Sequence, residues 1–244
     1  MKASSLERYD RQLRIPKLGV EGQLKLRKAS VLVAGIGGLG CASSISLAAA
    51  GIGRLILVDK DVVEMSNLNR QILYRGEDLG KPKAEVAARL LKSFNPDVEV
   101  KGVFKEINRE NVELFVRDVD IVVDGQDNYE TRFLLNETCV KFRKPFIHAA
   151  IHGLEGRLLT VIPGKGPCLR CLIPNTPPLL RPVPVLGSIA MVMGSMQAAE
   201  AIKIITGIGE VGVGKLLVVD LETLDLLSIN VTRNPKCPVC GGLK

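Results

Sequence analysis

The segment Val31-Leu-Val-Ala-Gly-Ile-Gly-Gly-Leu-Gly40 runs from an apolar strand through a glycine-rich turn into a helix. Val31–Ala34 has the composition of a buried strand, and Leu39–Ala50 is rich in Ala and Leu. The turn between them contains Gly35, Gly37, Gly38 and Gly40. Glycine permits a tight turn, and the N-terminus of the following helix offers unpaired N–H groups to a phosphate. The segment therefore predicts a nucleotide-binding strand–turn–helix unit.

An acidic residue follows the next predicted strand, Leu55–Val58. Asp59 lies 24 residues after Gly35, where a carboxylate can accept hydrogen bonds from ribose hydroxyls. Together, the glycine pattern and this carboxylate predict an adenine nucleotide site. They do not distinguish ATP from NAD.

Outward from this unit, short apolar runs alternate with amphipathic stretches through the first two-thirds of the chain. Further strands are predicted at Val98–Phe104, Ile121–Asp124 and Pro145–Ala150, with helices at Pro82–Phe94, Asn111–Phe115 and Glu130–Phe142. This order is typical of a parallel sheet covered by helices on both faces. After Gly153 the predicted strands are Arg157–Ile162, Lys215–Asp220 and Leu224–Asn230, and a helix is predicted at Ser188–Thr206. The last two strands follow each other as a hairpin, which indicates antiparallel additions to the sheet.

The resulting fold class is α/β, a Rossmann-like mixed sheet with a parallel N-terminal part and antiparallel C-terminal strands. We expect a single domain over residues 1–244, with a nucleotide-binding half at 1–150 and the antiparallel strands at 151–244. The proline-rich stretch Pro174–Pro184 is predicted to be an exposed loop.

Polar side chains cluster after the predicted strands, at the sheet edge where such folds bind ligands. These candidates are Asp61, Asn67, Arg70, Gln71, Lys83, Asp127 and Asn128. Arg and Lys beside an acidic residue suit a triphosphate with Mg²⁺ better than a dinucleotide, because the β- and γ-phosphates carry more charge. Simpler interpretations remain. Arg70 and Lys83 are also explained as solvated surface charges, Asp127 as a helix cap and Asp61 as a turn residue.

Four of the six cysteines form two Cys-x-x-Cys pairs, Cys168 with Cys171 and Cys237 with Cys240. Two such pairs favour a closed, tetrahedral Cys₄ zinc site with a structural role. The rival interpretation, a redox dithiol, needs only one pair. Cys41 and Cys139 lie in predicted helices and are expected to be small buried side chains. We likewise expect His148 and His152 to be structural.

The composition argues against several classes of protein. The chain carries a formal charge of +7, but its basic residues are scattered and it has three Tyr and no Trp, so nucleic-acid binding is not favoured. It contains no apolar run of about 18 residues, and its polar start lacks the apolar core of a secretory signal. We therefore expect a cytoplasmic protein.

Five motifs resemble, in the same order, those of the ubiquitin-activating-like adenylyltransferases, the MoeB/ThiF/HesA family. They are Tyr9-Asp-Arg11-Gln12, the Gly35–Gly40 turn, Ser66-Asn67-Leu-Asn-Arg70-Gln71, Gly80-Lys-Pro82-Lys83 and Asp127-Asn128. The likeness extends over about residues 5 to 244.

The resemblance implies that ATP is used to adenylate the C-terminal Gly-Gly carboxylate of a ubiquitin-like sulfur-carrier protein, with release of pyrophosphate. Such reactions serve molybdopterin, thiamine or tRNA-thiolation pathways. By the same resemblance, Asp59 holds the ribose, Asn67 and Gln71 shape the phosphate pocket, Arg70 and Lys83 bind phosphates, and Asp127 binds Mg²⁺. Arg11 would reach into the ATP site of the neighbouring subunit of a homodimer. Related enzymes also bind zinc at the matching cysteines.

One departure from the family concerns covalent transfer. Relatives that form a thioester, persulfide or acyl-disulfide place a cysteine in the loop that corresponds to Pro174–Ser188, and this chain has none there. Adenylation needs no cysteine. Three alternatives stay open at this point: a tRNA-modifying ATP-dependent dehydratase of the same family, a nicotinamide-dependent oxidoreductase, and a non-catalytic scaffold for a ubiquitin-like partner.

Overall fold

Eight strands form one mixed sheet in the computed structural model, which describes residues 7–176, 178 and 183–243. The strands are β1 Ser30–Ala34, β2 Arg54–Asp59, β3 Glu99–Phe104, β4 Ile121–Asp124, β5 Phe146–His152, β6 Glu155–Val161, β7 Lys215–Asp220 and β8 Asp225–Asn230. Their spatial order is β3-β2-β1-β4-β5-β6-β7-β8. The pairs from β3 to β5 are parallel and those from β5 to β8 are antiparallel, which confirms the predicted fold class.

Helices cover both faces of this sheet. They are α1 Asp10–Leu13, α2 Gly19–Lys28, α3 Gly38–Ala50, α4 Lys83–Phe94, α5 Val112–Val116, α6 Tyr129–Lys141, α7 Leu169–Leu172 and α8 Gly187–Thr206. Most boundaries agree with the sequence to within two residues. Helix α4 begins one residue later than predicted, because Pro82 has the extended ψ of 125° and precedes the first helical residue.

Two apolar cores lie on opposite faces of the sheet, as the alternation along β1 requires. Val31 and Val33 pack into the core beneath α3, α4 and α8, whereas Leu32 packs into the core beneath α5 and α6. Cys41 is buried in the first core and Cys139 in the second, as expected. Burial raises the pKa of the Cys41 thiol to about 12, so this side chain stays a neutral thiol.

Helix α8 is long and apolar enough to cross a membrane by length and composition alone. Half of its most apolar 18-residue window is buried inside the structure, where α8 packs against α3 and the sheet. This burial is typical of the core helix of a globular domain.

The predicted loop at Pro174–Pro184 falls partly outside the described residues, at positions 177 and 179–182. The described residues of this stretch contain no helix. Just beyond it, Val185 forms an isolated bridge with Gly153, so the chain returns to the sheet before α8 begins.

Candidate nucleotide site and cysteine cluster

The loops after β1 and β4 meet at the point where the strand order reverses, which is where doubly wound folds bind ligands. Gly35 follows β1 with a φ of +92°, and a Cβ there would lie 2.7 Å from the carbonyl oxygen of Gly125, which follows β4. A Cβ on Gly40 would lie 2.0 Å from the carbonyl oxygen of Gly35. Glycine has no side chain, so the loop after β1 can lie directly against the loop after β4 and the first turn of α3. Any larger residue at Gly35 or Gly40 would collide with these backbones.

Asp59 fixes the glycine-rich turn from the end of β2. Its Oδ2 accepts a hydrogen bond from the N–H of Ile36 at 2.6 Å, and its Oδ1 accepts one from the N–H of Asp61 at 2.8 Å. Burial raises the pKa of Asp59 above its ordinary value, although both N–H groups oppose that shift. A carboxylate has about four acceptor positions, so two remain for a ligand's hydroxyl groups.

Lys83 is held beside Asp61 through both its backbone and its side chain. The backbone N–H of Lys83 donates to the carbonyl of Asp61 at 3.0 Å, and its Nζ lies 3.2 Å from Asp61 Oδ2. The side chain of Lys83 is 7% exposed, whereas that of Asp61 is 58% exposed. The cation is therefore buried, and the carboxylate lies on its solvent side.

The segment Asn67–Gln71 forms a tight turn below the start of α8. Asn67 Oδ1 accepts from the N–H of Glu64 at 3.0 Å, and Arg70 Nη1 donates to the carbonyl of Ser66 at 2.8 Å. Gln71 is buried, and its Oε1 has no hydrogen-bond partner among the residues that the structure describes. Its Nε2 would lie 3.9 Å from a Cβ built on Gly37. An unpaired buried amide oxygen beside the glycine turn is typical of a ligand site.

The end of β4 carries a charged cluster that sequence reasoning missed. Asp124 is fully buried, and its Oδ2 lies 2.6 Å from His148 Nδ1 and 3.5 Å from Arg132 Nε. Burial lowers the pKa of His148, while the hydrogen bond to Asp124 opposes that shift. His148 is thus buried and held by Asp124, whereas His152 is exposed. A lone Asp at a strand end gives no sequence signal for such a cluster.

Asp127 and Asn128 differ in their surroundings. Asp127 is exposed, and its charge helps to raise the pKa of nearby Lys60, although the hydrogen bond from Lys60 to Glu106 contributes more. Asn128 caps α6, since its Oδ1 accepts from the N–H of Thr131 at 2.9 Å. The structure therefore gives the capping role to Asn128 rather than to Asp127.

Arg11, which was predicted to act at an ATP site, lies far from these residues. It is exposed on α1, and the side chain of its neighbour Gln12 donates to the carbonyl of Ala50 at 2.9 Å. Ala50 ends α3, whereas the glycine turn lies at the beginning of α3, about 18 Å away along the helix axis. Within one chain, Arg11 is thus not brought into the candidate site.

The four predicted metal ligands do come together. The sulfur atoms of Cys168, Cys171, Cys237 and Cys240 all lie within 4.8 Å of one another. Sγ of Cys168 is 3.7 Å from that of Cys237, and Sγ of Cys171 is 3.4 Å from that of Cys240. A tetrahedral zinc site with Zn–S bonds of about 2.3 Å has S–S edges of about 3.8 Å. The cluster can therefore hold a metal ion of this kind.

The residues present also fit a nucleotide. The glycine turn exposes backbone N–H groups at the N-terminus of α3, the Gln71 side chain with its unpaired oxygen lies near Gly37, and Lys83 supplies a buried positive charge. Asp127, exposed at the same sheet edge, has the hard oxygen donors that Mg²⁺ prefers.

Comparison with known proteins gives matches along almost the whole chain. The ThiF family profile matches residues 9–239. A sulfur carrier protein adenylyltransferase of Thermus thermophilus is 43% identical, over 97% of this chain and 91% of that protein. A SAMP-activating enzyme E1 of Haloferax volcanii is 42% identical, over 99% of this chain and 91% of that protein.

Solved structures agree with these sequence matches. A crystal structure of Escherichia coli MccB with MccA-N7isoASN superposes with a TM-score of 0.87 at 30% identity. The match covers 96% of this chain and 75% of that one.

Proposed function

This chain belongs to the ThiF family, and from that premise we propose that it is an ATP-dependent adenylyltransferase for the C-terminal Gly-Gly carboxylate of a ubiquitin-like sulfur-carrier protein. The observation that carries the proposal is the convergence of Gly35, Asp59, Gln71 and Lys83 at the switch point between β1 and β4. The names of the similar proteins support the same activity.

In this proposal the ATP triphosphate lies over the glycine turn and the N-terminus of α3. Asp59 accepts hydrogen bonds from the ribose, and Asn67 and Gln71 shape the phosphate pocket. Arg70 and Lys83 neutralise phosphate charge. When Lys83 Nζ turns from Asp61 to a phosphate, the two residues stay joined, because the backbone N–H of Lys83 still donates to the Asp61 carbonyl.

The chemistry requires positioning more than acid–base catalysis. A C-terminal carboxylate is ionised near pH 7 and attacks the α-phosphorus directly, so an O–P bond forms while the bond to pyrophosphate breaks and no proton is transferred. Lys83 and Arg70 stabilise the charge that develops on the phosphate oxygens. Mg²⁺ held by Asp127 would offset the charge on the phosphates.

We propose that the catalytic unit is a homodimer. Arg11 is exposed, and none of the residues that the structure describes forms a hydrogen bond or ion pair with its guanidinium. Its position at the far end of α3 places it beyond the reach of the site in its own chain. An Arg11 that completes the neighbouring subunit's site accounts for both facts.

We propose zinc as the ion of the cysteine cluster, with a structural role. Four thiolates close the coordination sphere and leave no position for a substrate. The cysteine cluster joins α7 to the C-terminal residues, and α7 is bonded to α6 through Asn136.

A cytoplasmic location fits this structural role, because the thiols must stay reduced. We also treat the two halves of the chain as one domain, since all eight strands share a sheet.

Exchange of labelled pyrophosphate into ATP tests the proposed function. With a Gly-Gly-ended carrier and Mg²⁺ we expect exchange, and with the same carrier lacking its last two glycines we expect none. Equal exchange with the complete and the shortened carrier would contradict the proposal.

The oxidoreductase and tRNA-modifying alternatives are less well supported, because the similar proteins are named for carrier adenylation and activation. Absorbance change with NAD and salt-dependent tRNA binding test those two directly.

A further inference from the structure

We propose that Asp124, Arg132 and His148 form a buried clamp that positions the loop 125–128, and through it Asp127, against the glycine turn. The clamp deepens the proposed function, because that function assigns Mg²⁺ to Asp127. The three side chains touch neither reactant in this proposal, and so they are positioning residues.

Both polar groups of the Gln126 backbone are held by the clamp. The N–H of Gln126 donates to Asp124 Oδ1 at 2.9 Å, and the carbonyl of Gln126 accepts from Arg132 Nη2 at 2.6 Å. Gln126 directly precedes Asp127. The direction in which Asp127 leaves the loop is therefore set by two charge-assisted hydrogen bonds.

The clamp is closed on its other side by the second oxygen of Asp124. Oδ2 lies 2.6 Å from His148 Nδ1 and 3.5 Å from Arg132 Nε. Asp124 is fully buried, and Arg132 and His148 are 7% and 3% exposed. Replacing such a buried ion pair by apolar residues is often neutral or stabilising, so stability alone does not account for three ionisable groups at this point.

The clamped loop is in direct contact with the glycine turn. The N–H of Gly125 donates to the carbonyl of Ala34 at 2.8 Å, and a Cβ on Gly125 would lie 2.2 Å from the carbonyl oxygen of Gly35. From α8, Gln197 Nε2 donates to the Asp124 carbonyl at 2.8 Å. A change in the clamp thus moves Asp127 relative to the loop that binds the phosphates.

Two His148 variants test the clamp with a matched pair. Asn places an amide N–H near the position of Nδ1 and keeps the hydrogen bond to Asp124, whereas Leu removes it. We expect His148→Leu to raise by about tenfold both the hydrogen-exchange rate of the Gln126 amide and the Mg²⁺ concentration for half-maximal pyrophosphate exchange, as the loss of one charge-assisted hydrogen bond implies. His148→Asn should stay close to the wild type in both measurements. Arg132→Lys, which cannot keep both contacts of Arg132, should resemble His148→Leu.

Glu200→Gln is the control for a purely structural effect. Glu200 is also buried and paired, with Thr160 Oγ1 at 2.6 Å, the N–H of Gly212 at 2.9 Å and Lys203, and none of these partners belongs to the loop 125–128. It should lower the Tm and leave both measurements unchanged. If His148→Leu also lowers the Tm but leaves the amide exchange rate and the Mg²⁺ requirement unchanged, the clamp proposal is rejected. Hydrogen exchange is measured without ATP or carrier, so it tests the clamp even if the wild-type protein shows no pyrophosphate exchange, an outcome that would reject the proposed function alone.

Discussion

Lys83 Nζ lies 3.2 Å from Asp61 Oδ2, in an ion pair whose cation is almost entirely buried and whose anion is mostly exposed. The backbone N–H of Lys83 also donates to the carbonyl of Asp61. A buried lysine needs a nearby anion to remain charged. Asp61 therefore holds Lys83 in place, and a phosphate can take over from the carboxylate on the same nitrogen.

The first prediction concerns this pair. Lys83→Met should lower kcat/KM for carrier adenylation at least about 100-fold, because a charge-assisted contact to the phosphates is lost in a buried site. Asp61→Asn should have a smaller effect, seen mainly in the KM for ATP. Lys81→Met is the matched control, since Lys81 is exposed and pairs with Asp78 instead. Equal losses in the Lys81 and Lys83 variants would contradict the role of Lys83.

The second prediction separates binding from stability at Gln71. Its Oε1 has no partner among the described residues, so Gln71→Leu removes no hydrogen bond to that oxygen. We expect the Tm to stay the same or rise, because an unsatisfied buried amide costs about 1–3 kcal/mol. Affinity for ATP, measured by calorimetry, should fall. A variant that loses stability while keeping ATP affinity would show that Gln71 is a packing residue.

The nucleotide half was predictable because several independent signals coincide there. The β1 run, the glycine spacing and Asp59 each follow from local constraints on strands, turns and hydrogen-bond donors. Antiparallel additions to the sheet were predicted from the hairpin that joins the last two strands, β7 and β8. Helix α7 was missed because it is a single short turn of four residues that includes the predicted ligand Cys171 and shows no periodicity.

The parts of the site that depend on neighbours in space were not accessible from the sequence. The burial of Asp124 depends on β5 and α6 packing around the end of β4. The unpaired oxygen of Gln71 likewise depends on which groups surround it. The distance between Arg11 and the glycine turn appears only once α1 is seen against the far end of α3.

The third prediction concerns the cysteine cluster. Purified protein should contain one zinc ion per chain, measured by mass spectrometry of metals. Cys171→Ser should lower the Tm and the zinc content together, because the metal stabilises only the folded chain. Pyrophosphate exchange below the lowered Tm should remain within about twofold of the wild type, as expected for a closed site. Cys139→Ser is a control that should leave zinc content unchanged. Full stability without metal would reject the structural role.

The fourth prediction is a pH dependence of stability. Burial lowers the pKa of His148 in the folded state below its ordinary value of 6.5, so the unfolded chain binds the proton more tightly. The contribution of His148 is therefore fully present above pH 6.5 and is lost as the pH falls below it. Of the charged groups that face the ring, Asp124 raises the pKa of His148 and Arg132 lowers it. The stability of His148→Asn should depend less steeply on pH below about 6.5, measured by urea denaturation at a series of pH values. Identical slopes would contradict the shifted pKa.

The fifth prediction tests whether Arg11 acts across the dimer. Arg11→Ala and Asp127→Ala homodimers should each be nearly inactive, since every site lacks one group. In an equimolar mixture, half of the dimers are mixed, and each of these has one intact site. We therefore expect about one quarter of wild-type activity to return on mixing.

Mixed dimers can be isolated with two affinity tags, and their carrier adenylation can be measured directly. Arg14→Ala is the control, because Arg14 lies on the same exposed segment and pairs with Asp10 within its own chain. It should keep wild-type activity alone and give no gain on mixing. If verified mixed dimers recover no activity, Arg11 does not act in the neighbouring subunit's site. Within its own subunit, the length of α3 separates it from the glycine turn. Of the three cationic side chains assigned to the phosphates, Arg70, beside the turn, and Lys83 would then remain.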